Sequence, residues 1–217
     1  MASKGLWLHM EFLSLLQALE GLHRALFDGK YIEDHQYEPV KAALIRAIPK
    51  AVEDDHRDAL KSRIRYGNQI SLRKRLKELV GTLSPKCKTT VLGQGGDVPR
   101  SWVDTRNYYT HWDDELLPSV LDDQSMYYAN VRMHHFIRVL YAQLIGVPVA
   151  DIENAFNRPS QIAQQLVSLN IIEKRQADPT YIPQAIMTIS SEGDGRNDEK
   201  AEREGLGEGS SQELPMK

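Results

Sequence analysis

Apolar residues recur at three- and four-residue spacings along most of this chain, the period of amphipathic helices. Over residues 6–27, Phe12, Leu15, Leu16, Leu19, Leu22 and Leu26 share one face of a long helix that Asp28-Gly29 ends. A second helix is predicted over 34–48, stopping before Pro49, and a third over about 53–66. Ser71 is placed as the N-cap of LRKRLKELVGTL, whose Leu72, Leu76, Leu79 and Val80 lie together. Segment 84–96, SPKCKTTVLGQGG, is rich in residues that break helices and reads as a loop. Asp97 is then expected to cap a helix with Pro99 near its first turn, carrying Trp102, Val103 and Tyr109. After an acidic turn at Trp112-Asp113-Asp114 comes a long helix over about 123–145. Tyr127, Val131, His134, Ile137, Leu140 and Leu144 form its predicted apolar stripe, and Gly146 and Pro148 close it. One or two short helices are expected over 149–172. No run alternates with the period of a strand and no repeat is visible, so the expected fold is all-α, a helical bundle.

Composition narrows the setting. With 41% hydrophobic and 26% charged residues among 217, the chain reads as globular. No apolar run approaches the roughly 18 residues of a membrane span. The opening MASKGLWLHMEF lacks the apolar core and cleavage site of a secretion signal. The single cysteine, Cys87, excludes an intrachain disulfide and a multi-cysteine metal site. A cytoplasmic location without membrane association is expected.

Charge is unevenly spread. Eight acids and four bases fall in 190–217, leaving residues 1–189 close to neutral. That Gly-, Ser- and Glu-rich tail has almost no large apolar residues to offset the entropy of ordering, and reads as disordered. The expected division is a bundle over 1–148, a short helical extension over 149–189 and a disordered acidic tail over 190–217. Upstream, Lys61, Arg63, Arg65, Arg73, Lys74, Arg75 and Lys77 crowd into one stretch. It suits either a solvated face or phosphate contacts along RNA, with Arg73, Lys74, Arg75 and Lys77 the nearest to the motif below.

The candidate chemistry lies in VDTRNYYTHW at 103–112. On a regular helix Asn107 and His111 share a face, whereas Arg106 and His111 are about 140° apart. For both to reach one phosphate, the helix end must distort or two copies must face each other. Arginine offers a fork of donors to a phosphate, and histidine moves a proton near neutral pH. An RNA strand supplies its own 2′-hydroxyl nucleophile, so such a group can cleave it without a metal or cofactor. One histidine serves one proton transfer at a time, so a two-fold dimer, which supplies two, suits the reaction. The bland alternative pairs Arg106 with Asp104 and packs His111 on the aromatic rings beside it.

DTRNYYTHW resembles the Arg-Asn-x3-His signature of the HEPN superfamily, the higher eukaryotes and prokaryotes nucleotide-binding domain. FLSLLQALEGLHRAL resembles the first helix of its Apea-like branch, and GNQISLRKRLKELV the basic helix before the motif. The similarity spans about residues 10–147. It implies a helical bundle that forms a homodimer and, in many members, a metal-independent endoribonuclease. Arg106 matches the motif arginine that holds the scissile phosphate, His111 the acid or base, and Asn107 the polar residue that orients them. Glu20 of the first helix is a candidate for support of the same site, although an ion pair with Arg24 one turn on accounts for it equally. The resemblance also implies a role in anti-phage defence or as a toxin, with an antitoxin or sensor protein as a further partner class. No sensing domain is expected ahead of the first helix. Some members have lost catalysis, so a module that binds RNA, nucleotide or protein is the alternative. Tyr108 and Tyr109 follow the motif arginine, and Tyr108 is a candidate for stacking on a base. His134-His135 point about 100° apart, which argues against a metal pair. Gln94-Gly95-Gly96 lacks the Lys-Ser/Thr of a phosphate loop.

Overall fold

The structure is a computed structural model that describes residues 3–158 and 160–183, with side chains from Trp7 onward. Nine α-helices occur among the described residues: α1 (Ser3–Leu26), α2 (Asp34–Ala47), α3 (Asp54–Arg65), α4 (Leu72–Gly81), α5 (Pro85–Leu92), α6 (Arg100–His111), α7 (Asp123–Leu144), α8 (Val149–Ala155) and α9 (Gln161–Ala177). A short 3-10 helix, Asp114–Ser119, links α6 to α7. The only strand-like feature among these residues is an isolated antiparallel bridge between Lys30 and Gln69. The all-α expectation holds. None of the described helices is long and apolar enough to cross a membrane.

The compact unit over 1–170 has one core. Phe12, Leu16 and Leu19 of α1 meet Leu76 and Leu79 of α4, Cys87 and Val91 of α5, Trp102 of α6, and Met126, Met133 and Phe136 of α7. Ile152 of α8 and Leu166 of α9 join the same cluster. Residues 171–183 belong to a second unit, in which the Lys174 ammonium lies 5.1 Å from the Tyr181 ring centroid. The acidic tail lies outside the described residues.

Three local expectations change. Segment 84–96 contains α5 rather than a loop throughout. Ser84 caps it by accepting from Cys87 N, Pro85 fits the first turn, and Gly93 ends it at φ 87°. Its Cys87, Val91 and Leu92 are buried, so core burial outweighs the indifferent propensity of Thr89-Thr90. Asp97 does not cap α6. Its carboxylate accepts from Val98 N and pairs with Lys77, and Pro99 occupies the N-cap position. In α7 the buried face is Met126, Ala129, Met133, Phe136, Val139 and Leu140, whereas Tyr127, His134 and Leu144 are exposed. Apolar residues surround most of that helix, so the period alone left its phase open.

The α2–α3 hairpin contributes no buried residue. Its turn is braced by Arg57, which donates to the carbonyls of Lys50 and Val52 and pairs with Asp54. Its two ends are tied at the Lys30–Gln69 bridge. Tyr31 N donates to Asn68 O, Ile70 N donates to Gly29 O, and the Asn68 amide bonds both N–H and C=O of Ile32.

Beneath this junction Arg75 is 2% exposed. Its Nη1 lies 3.2 Å from His23 Nδ1, and its Nη2 reaches Gly29 O and Gln69 Oε1. A guanidinium has no acceptor, so His23 Nδ1 is the acceptor here. Nε2–H then donates to Glu78 Oε2 at 2.7 Å. Gly29, at φ 65°, places the site of an added Cβ 2.3 Å from Arg75 Nη1, so only glycine fits. Arg75→Met is expected to cost about 3 kcal/mol by leaving His23 and Gly29 O unsatisfied. Lys74→Ala, which loses an exposed contact 4.6 Å over the Tyr31 ring, should cost no more than about 1 kcal/mol. Urea unfolding followed by circular dichroism compares the two.

Candidate functional site

Helix α6 is anchored on one side and open on the other. Trp102 enters the core, and Thr105, wholly buried, accepts from Leu121 N at 2.9 Å, fixing α6 to the start of α7. Tyr109, one turn further, bonds His9 Nε2 of α1 at 2.7 Å, with ring centroids 4.5 Å apart. Burial, chiefly, raises the Tyr109 pKa above the ordinary phenol value, and the direction of the bond is set by the His9 tautomer. These contacts set the rotation of the helix and turn Asn107 and His111 away from the core.

Arg106 and Asn107 are half-buried at the rim, and Arg106 Nη1 donates to Asn107 Oδ1 at 3.1 Å. On the other side Arg106 Nη2 lies 4.0 Å from Glu20 Oε2, beyond hydrogen-bond range. Glu20 Oε1 is engaged at 2.9 Å by Arg24, whose Nη1 donates to Gln69. Glu20 therefore pairs with Arg24 one turn on and also faces Arg106. Asp104 pairs with Arg100, at 3.3 Å, rather than with Arg106.

The His111 imidazole is exposed and makes no hydrogen bond among the described residues. Helix α6 stays regular through it. The break comes one residue later, at Trp112, which adopts the left-handed conformation at φ 52° and closes the helix through a bond from its N–H to Tyr108 O. Tyr108 is half-buried, edge-on to Tyr109 at 5.2 Å and to Trp112 at 5.6 Å. Trp112 itself is 68% exposed and is the more available ring beside His111. Neither Trp112 nor His9 was singled out from the sequence. Trp112 directly follows the motif and could have been, whereas His9 is brought in only by the packing of α1 on α6.

The basic stretch does not form one surface. Arg75 is interior, so it is removed from any RNA-contacting set, because burial and three protein partners occupy its donors. Lys61 pairs with Asp58 and Lys77 with Asp97. Arg73 is half-buried, with its Nη1 sealed and unbonded among the described residues. Lys74, Arg63 and Arg65 are exposed. Among the described residues no three His, Cys, Asp or Glu side chains gather as a metal-ligand set.

Tyr109→Phe is expected to cost about 1 kcal/mol, the worth of one hydrogen bond, and His9→Ala somewhat more. A double-mutant cycle on urea unfolding should return a coupling energy near 1 kcal/mol. A coupling near zero would mean that the pair does not hold α6.

The comparisons with known proteins fit this geometry. No curated protein and no solved structure matches the chain. The family model described as Apea-like HEPN matches residues 13–151, from the first helix through the motif to α8. That span covers more than half of the sequence, and the chain belongs to the Apea-like HEPN family.

Proposed function

We propose that the protein is a metal-independent endoribonuclease whose active site is assembled from two copies of the chain. The observation that carries this reading is the regular course of α6 through His111. Of the two ways for Arg106 and His111 to meet one phosphate, the helix does not take the first, distortion before His111. The regular helix favours the second, two helix ends facing each other. Arg106, steadied by Asn107, offers Nη2 to a non-bridging phosphate oxygen and stabilises the charge that builds there. His111 of one copy removes the 2′-hydroxyl proton as that oxygen bonds to phosphorus. His111 of the other copy protonates the 5′-oxygen as its bond to phosphorus breaks. The products are a 2′,3′-cyclic phosphate and a 5′-hydroxyl, and no cofactor enters the step.

Lys74, Arg73 and Lys77 stand as candidates to hold the RNA backbone, and Trp112 joins Tyr108 as a candidate for base stacking. Such an activity fits a toxin-like or anti-phage role under the control of an antitoxin or sensor protein, and fits a cytoplasmic location. Expression of the active chain should then slow host growth, and His111→Ala should relieve it.

Three measurements test the reading. Labelled single-stranded RNA in EDTA should be cut by the wild-type protein and not by Arg106→Ala or His111→Ala. An equimolar mixture of wild-type and His111→Ala chains, exchanged to equilibrium, should show roughly a quarter of the activity of the same total amount of wild-type chain, since only one dimer in four keeps both histidines. Activity of one half, linear in the wild-type chain as for a self-sufficient chain, would overturn the composite site. Trp112→Ala should weaken RNA binding by roughly tenfold in fluorescence anisotropy without loss of fold.

A further inference from the structure

A cavity of about 420 Å³ opens where α7, α8 and the start of α9 meet, in the 1–170 unit and outside the candidate RNA site. That volume falls within the roughly 300–1,000 Å³ of small-molecule sites and far exceeds the voids that close-packed interiors leave. Val139, Ala142, Val147, Ile152 and Phe156 give it apolar walls. A second pocket of about 200 Å³, more polar than the first, is lined by His134, Gln165 and Val131. His135 and Arg138 line both, so they stand where the apolar space becomes polar.

The groups at that boundary have a definite chemistry. His135 is 2% exposed. Burial first, then the charge of Arg138, lowers its pKa below the usual imidazole range, against a hydrogen bond to Gln165 that raises it. It is therefore neutral at pH 7 and adds no charge of its own to the boundary. Arg138 and Arg158 at the mouth are exposed and in no ion pair among the described residues. Asp151 is the one carboxylate in the lining, so the balance is positive.

We propose that the two chambers form one binding site for a small organic anion with an apolar body. Its head sits at Arg138 beside His135, and its body lies against Val139, Ile152 and Phe156. A charged head needs the arginine, which bonds a carboxylate or similar anion with two donors. An apolar body removes from water the walls that the protein itself leaves open. The site stands apart from RNA cleavage and does not depend on it.

The test is calorimetric titration of the full chain with sodium decanoate below its micelle concentration, beside 1-decanol and sodium acetate. Decanoate should bind once and saturably, and octanoate, two methylenes shorter, roughly tenfold more weakly. Decanol, which lacks the head, and acetate, which lacks the body, should each bind at least tenfold more weakly. Arg138→Gln should lose about tenfold in decanoate affinity, and Ala142→Phe, which fills the apolar chamber, should lose it all. Decanoate should also shift the His135 ring resonances of the wild-type protein, a readout that stands if Ala142→Phe does not fold. Equal binding of decanol, unsaturable uptake of several decanoates, or an unmoved His135 signal would each overturn the proposal.

Discussion

Burial strips the water from Arg75, and a charge without water has to be solvated by protein at a cost of several kcal/mol unless every donor is met. Here the partners come from distant parts of the chain: His23 from the end of α1, the carbonyl of Gly29 just after it, and Gln69 just before α4. Satisfying one side chain therefore fixes the exit of α1 and the entry of α4 against each other. His23 relays the demand outward, accepting from the guanidinium and donating to Glu78. The same requirement forces a glycine at position 29, because a methyl group there would occupy the space of the guanidinium.

From Gln69 a run of polar contacts leads to the rim of the candidate site. Gln69 accepts from Arg24, Arg24 holds Glu20, and Glu20 faces Arg106 across 4.0 Å. Glu20 thus stands between two guanidiniums, holding Arg24 at hydrogen-bond distance and Arg106 at the longer 4.0 Å. On the other flank, Thr105 and Tyr109 hold the rotation of α6, so the orientation of Asn107 and His111 follows from the packing of their neighbours on the helix.

Much of this was legible before the fold. Capping and breaking residues such as Ser71, Gly29 and Gly146 marked helix ends to within about two residues, because those positions answer to local backbone chemistry. Segment 84–96 was missed because Thr and Gly suggested a loop, although Ser84-Pro85 followed by Cys87 and Val91 one turn apart carried the opposite signal. The phase of α7 was missed because a helix buried on most sides has no single stripe to read. At the site, the helical address of Arg106, Asn107 and His111 followed from spacing alone. The fate of Arg75 did not: within a run of bases nothing local tells which one turns inward, and the choice is made by His23 and Gly29, some fifty residues away. The pairing of His9 with Tyr109 across 100 residues is hidden for the same reason.

The α2–α3 hairpin buries none of its residues, yet its ends lie side by side at the Lys30–Gln69 bridge. A segment attached in this way closes its own loop and asks nothing of the core. Lengthening, shortening or replacing it changes mainly the entropy of closing a chain between two points already held together, which varies only slowly with length. The bundle thus carries at this junction a place where sequence can diverge freely, a port at which one appendage can be exchanged for another while Arg75 and the helix end bearing His111 keep their positions.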